Sequence, residues 1–112
     1  MEGPSLLLGT LHHGSLPVSF AFGDRALAHL QVVILAKLRR GEGFGFHIPA
    51  DATLGRGRLT LWTHPSTPLT FTIRNTAEVT INAAWVRALM EEANSNRGLS
   101  LLPESPADPS TS

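Results

Sequence analysis

Cysteine is missing from all 112 residues. Disulfides, thiolate zinc sites and cysteine nucleophiles are excluded with it. Lysine is nearly missing, with Lys37 the single example. Charge of one sign is missing too: nine basic and nine acidic residues cancel, so no strong field steers the chain to nucleic acid or to an anionic membrane. Long apolar runs are absent. Leu30 to Leu38 is broken by Gln31 and Lys37, far short of the ~20 residues that cross a bilayer. Met1-Glu2-Gly3-Pro4 carries no cationic region, and Leu6-Leu7-Leu8 is too short for a signal segment. The expectation is a cytoplasmic chain with no membrane partner.

What is present suits one globular domain. Hydrophobic residues make up 42% of the chain, enough for a single thin core at this length. Leu6 to Leu11 and Leu16 to Phe22 flank His12-His13-Gly14-Ser15. Leu16, Val18, Phe20 and Phe22 alternate with Pro17, Ser19 and Ala21, the period of a strand with one buried face. The pair reads as a hairpin. Gly23-Asp24 ends it, and Asp24 is placed to cap a helix over residues 25–40. Leu27, Leu30, Ile34, Leu35 and Leu38 fall on one side of that helix. Lys37, Arg39 and Arg40 crowd its last turn, where the helix dipole favours cations, and Gly41 follows as the C′ residue.

Phe44, Phe46 and Ile48 give a third strand, with His47 on its other face. Residues 59–64 and 69–74 read as a second hairpin through Pro65-Ser66-Thr67-Pro68. Asn82 caps a second helix that buries Trp85, Val86, Leu89, Met90 and Ala93, and Leu99 to Leu102 make a short last strand. The order ββαβββαβ predicts an α+β fold, an antiparallel sheet with two helices packed on one face. A small half-open barrel is the alternative. Residues 1–104 form the one domain, and residues 105–112 belong to a polar, proline-bearing end expected to be disordered.

Few residues declare a chemistry. Five histidines lack metal-ligand spacing, and the simpler reading sets them in solvent or at strand edges. Gly41-Glu42-Gly43-Phe44-Gly45 follows a helix and opens a strand, the reverse of a phosphate loop, so it serves as a C-cap and gives room for close strand packing. Gly55-Arg56-Gly57-Arg58 is one copy of a fragment common in RNA-binding tails. Ser66 lies two residues from His64, but prolines on both sides make a rigid turn the simpler account. No catalytic residue, metal site or cofactor is expected.

Trp62 is the informative residue. Leu59 and Leu61 share one face of their strand, while Thr60, Trp62 and His64 share the other. In the following strand Leu69, Phe71 and Ile73 face the core, leaving Arg74 outward. Trp62 therefore sits on a polar face, and exposed aromatics beside Arg and His are enriched at interfaces.

Residues 24–33, then Lys37-Leu38-Arg39-Arg40-Gly41-Glu42, the block Leu61-Trp62-Thr63-His64-Pro65-Ser66-Thr67-Pro68-Leu69, and Trp85, Leu89, Ala93-Asn94-Ser95 and Gly98-Leu99 resemble a small actinobacterial domain of unknown function. The likeness spans about residues 5 to 104. Its members are often labelled ATP-dependent DNA ligase. Such a ligase adenylates a lysine in a Lys-x-Asp-Gly context, whereas Lys37, on a helical surface, is followed by Leu38-Arg39-Arg40.

The sequence thus leads to a non-catalytic interaction module. Its contact residues are Trp62, His64, Ser66 and Arg74, and its occupant is a protein partner or a second copy of the chain. The alternative is a nucleic-acid-associated accessory protein with weak binding through Arg39, Arg40, Arg56 and Arg58.

Overall fold

The computed structural model describes residues 8–16, 18–53, 57–76 and 79–107. Pro17, Gly55, Arg56 and residues 108–112, on which parts of the sequence reading fall, lie outside them. The elements are β1 (Leu8–His13), β2 (Val18–Gly23), α1 (Asp24–Arg39), β3 (Phe44–Ile48), a 3₁₀ turn (Ala50–Ala52), β4 (Leu59–Thr63), β5 (Leu69–Thr72), α2 (Ala83–Ala93) and β6 (Leu99–Ser100). The fold is α+β, as the order of patterns predicts.

The strands divide into two sheets, ordered β2-β1-β5 and β4-β3-β6. β1 pairs antiparallel with β2, Leu11 opposite Phe20, and with β5, Leu11 opposite Phe71. β3 pairs antiparallel with β4, Phe46 opposite Leu61, and parallel with β6, Phe46 opposite Leu99. The expected hairpin of β4 with β5 does not form, because each strand serves a different sheet. Thr67 N–H donates to the His64 carbonyl at 2.8 Å, closing a turn. Pro68 has no amide for a ladder, and its carbonyl instead accepts from Gly14 N–H at 3.0 Å, which hands the chain to β1.

Strand alternation sends Leu11, Phe20, Phe22, Phe44, Phe46 and Ile48 into one core shared with Leu27, Leu30, Val33 and Ile34 of α1 and Trp85 and Leu89 of α2. The rings of Phe22 and Phe46, one from each sheet, stack with centroids 6.3 Å apart. The buried side of α1 is wider than its leucine stripe, taking in Val33, His29 and Lys37.

The helix ends depart from the simplest capping pattern at one point. Asn82 caps α2 as expected, accepting from the amides of Ala84 and Trp85 at 3.0 and 3.3 Å. Asp24 does not cap α1. It is the first helical residue, buried, and its carboxylate accepts from the amides of Arg74 and Asn75 at 3.0 and 2.9 Å. The carboxylate thus satisfies the backbone that leaves β5, a long-range use that a local pattern cannot display.

Gly98 joins α2 to β6 at φ +86°, and a Cβ there would lie 2.5 Å from the Gly45 carbonyl oxygen. Only glycine fits both the left-handed backbone and that approach, so β6 can pair beside β3.

Candidate functional site

The outer face of the second sheet is built from alternate residues of two neighbouring strands. Gly45 lies opposite Trp62 and His47 opposite Thr60. One column therefore runs Arg58, Thr60, Trp62, His64, and the next runs Gly43, Gly45, His47. None of these residues is a carboxylate. Trp62 is 65% exposed, on the polar face where alternation puts it. Its ring lies against Gly43, where a Cβ would come within 2.8 Å of the indole. The glycine-rich segment thus makes room for an aromatic ring, a use of close packing that the sequence points to without naming the ring.

Hydrogen bonds hold the face in shape. His47 Nε2 donates to the Arg97 carbonyl, which can only accept, and Nδ1 lies 2.8 Å from the Thr60 hydroxyl. His64 Nδ1 accepts from the Ser66 amide at 3.3 Å, and the Ser66 hydroxyl lies 3.0 Å from the same nitrogen. The His64 amide donates to Thr67 Oγ1 at 3.0 Å. Residues 64–67 are a turn that satisfies its own polar groups. No carboxylate contacts His64 among the described residues; the ring is held by Ser66 alone among them.

At the far end of the face, Arg58, His47, Pro49 and Ser100 help line a cleft of about 360 Å³. Arg58 makes no ion pair with any described residue. Arg58 lies four positions before Trp62 along the extended chain, roughly 13 Å at ~3.3 Å per residue. Beneath the inner side of β4, His13 Nε2 lies 3.3 Å from the Thr63 hydroxyl. Burial lowers the pKa of His13, against the raising effect of its bond to the Trp62 backbone.

The other sequence-selected residues lie elsewhere. Arg74 sits beyond the end of β5 near Asp24, in the chain segment of the first sheet, and exposed. Arg39 and Arg40 end α1, which leads through Gly41 and Glu42 to the glycine under Trp62. Arg40 pairs with Glu42 at 3.4 Å. Lys37 is not a surface lysine. It is 6% exposed, held by Glu42 at 3.0 Å and by Asn94 Oδ1 at 2.9 Å. The hydrogen bond from Lys37, with the nearby Arg40, lowers the pKa of Glu42.

A second polar network was not legible in the sequence. His29 is fully buried and tilted against the Trp85 ring, centroids 4.5 Å apart. Above it, Arg25 grips the Glu104 carboxylate, which also accepts from Asn82 Nδ2 at 3.0 Å. Arg25, then Asn82, hold the Glu104 carboxyl down to about 2. Only long-range contact reveals this cluster, since its members lie on three separate segments.

Among the described residues no group of three or more His, Cys, Asp or Glu could hold a metal ion, and no helix is long and apolar enough to cross a membrane. The family model described as a domain of unknown function (DUF7882) matches residues 8–104. No curated protein and no solved structure matches.

Proposed function

We propose that this chain, which belongs to the DUF7882 family of domains of unknown function, is a non-catalytic binding module that acts through the outer face of its second sheet. The exposure of Trp62 carries the reading. A large indole at 65% exposure lies on a flat glycine floor, in a fold that buries its other tryptophan. Hydrogen bonds fix His47, Thr60 and the 64–67 turn around it, so the face is preorganised for contact. His64 and Ser66 border that face, while Arg74 contributes to a separate surface.

The ligase label of the resemblance gains no support from Lys37, which is buried and engaged at both ends of its charge. The reading is of a cytoplasmic module, a setting with which a cysteine-free chain is compatible. The test compares the wild-type chain with Trp62→Ala by sedimentation over a concentration series and by titration with oligonucleotides. Association or binding lost in the variant, at unchanged melting temperature, supports the reading. Association and binding equal to wild type overturn it.

A further inference from the structure

We infer that the occupant of this face is a single nucleic-acid strand, with a base stacked on Trp62 and a phosphate in the cleft at Arg58; the inference rests on the binding-module reading and names its ligand. Three observations converge. The face offers one exposed aromatic ring, and every base has a π-face that stacks on such a ring whatever its sequence. It offers a guanidinium that makes no ion pair with any described residue, in a cleft of about 360 Å³, and guanidinium matches phosphate geometry. Between them lie Thr60 and His47, with Gly45 opposite the indole, a floor without a carboxylate to repel an anion.

The chain as a whole is neutral, so the attraction is local. It selects a ligand that meets both features at once, roughly 13 Å apart along the strand. That span suits successive units of an extended strand. A duplex keeps its bases stacked on one another and cannot offer one to Trp62.

The experiment follows an oligothymidylate of about twelve nucleotides, within the usual site sizes, by anisotropy of a labelled strand and by quenching of tryptophan emission. Wild type should bind at low salt with quenching of the exposed indole, and a duplex of equal length should compete poorly. Trp62→Leu should weaken binding about ten-fold or more, and Trp62→Phe should retain most of it, because the aromatic face does the stacking. Arg58→Ala should reduce the slope of log affinity against log salt by about 0.7, one phosphate contact on a single strand. Circular dichroism checks that each variant is folded.

No quenching at low salt, or equal affinity in Trp62→Leu, overturns the inference. Equal competition by the duplex overturns it too. If quenching instead appears on raising the protein concentration alone, and Trp62→Leu abolishes it, a second copy occupies the face. The strand assignment then falls while the binding-module reading stands.

Discussion

His29 joins the first helix to the cap of the second: its Nε2 accepts from the Asn82 amide at 2.8 Å, across 53 positions of sequence. An amide can only donate, so Nε2 carries no proton. Nδ1 therefore holds the proton and donates to the Arg25 carbonyl at 2.7 Å. One neutral tautomer is fixed by two partners, and the imidazole completes the face on which Trp85 packs.

His29→Phe keeps a ring of similar size but removes both nitrogens. It leaves the Asn82 amide without its acceptor in a half-buried site, a loss of roughly 1–3 kcal/mol. The variant should melt at lower denaturant concentration by that amount. The amides at the start of α2 should lose hydrogen-exchange protection first. A change under about 0.5 kcal/mol, the range of ordinary surface substitutions, would show that water replaces the bond.

Local pattern was legible in the sequence, and long-range polar contact was not. Period-two alternation in Phe44-Gly45-Phe46-His47-Ile48 and the Asn82 cap are decided by neighbours in the chain, and both stand in the structure. Exposure of Trp62 follows from the same alternation. The partner of β4 is decided by which strand reaches it in space, so Pro65-Ser66-Thr67-Pro68 suggested a hairpin where the chain changes sheets. Asp24 carries a residue type that caps helices, yet its carboxylate serves the amides of Arg74 and Asn75. Lys37 and His29 have polar side chains whose burial depends on Glu42, Asn94 and Asn82, partners that no spacing rule supplies.

Glu104 gives the fold an acid limb. Its pKa falls from 4.5 to about 2, so the folded state favours the ionised form. The stabilisation is present above the unfolded value near 4.5 and is lost as pH falls toward about 2. The pair with Arg25 is partly exposed, 42% and 36% at the two side chains, and solvent screening holds its worth to about 1 kcal/mol or less. Glu104→Gln should flatten the stability profile between those pH values and change little else. Deleting residues 105–112 should leave that limb intact, because Glu104 remains, although the bond from Asn82 Nδ2 to the Ser105 carbonyl is given up. A melting temperature many degrees lower after that deletion would show that the segment does more.

Lys37 should not form an adduct with ATP. A nucleophilic lysine must reach its substrate from solvent, whereas Lys37 is buried with Nζ held by Glu42 and Asn94. Incubation with labelled ATP and magnesium should leave the chain unlabelled in denaturing gels. Stoichiometric label that disappears in Lys37→Met would restore the ligase reading. Lys37→Met should also be tolerated better than Lys37→Ala, because the long side chain is buried and the shorter one leaves a gap.

The two tryptophans should separate stability from contact. Trp85 is 5% exposed, stacks beside His29, and donates its Nε1–H to the Leu102 carbonyl at 3.0 Å. Truncating it leaves a cavity and an unpaired carbonyl, and such losses run to roughly 3–5 kcal/mol, a large share of what a domain of this size possesses. Trp85→Ala should therefore unfold much of the population at room temperature. Trp62 keeps most of its surface in water, so Trp62→Ala should change stability by about 0.5 kcal/mol. Gly43→Ala is the sharper probe. Its new Cβ would meet the indole at 2.8 Å and the Thr63 carbonyl oxygen at 3.2 Å. The exposed ring can swing away at little cost, so the fold should survive while the indole leaves its seat. Emission from Trp62 should change in Gly43→Ala with the melting temperature nearly held, and the contact made through this face should weaken as it does in Trp62→Ala. If Gly43→Ala binds like wild type while Trp62→Ala does not, the ring acts by its presence alone and the glycine floor has no part in orienting it.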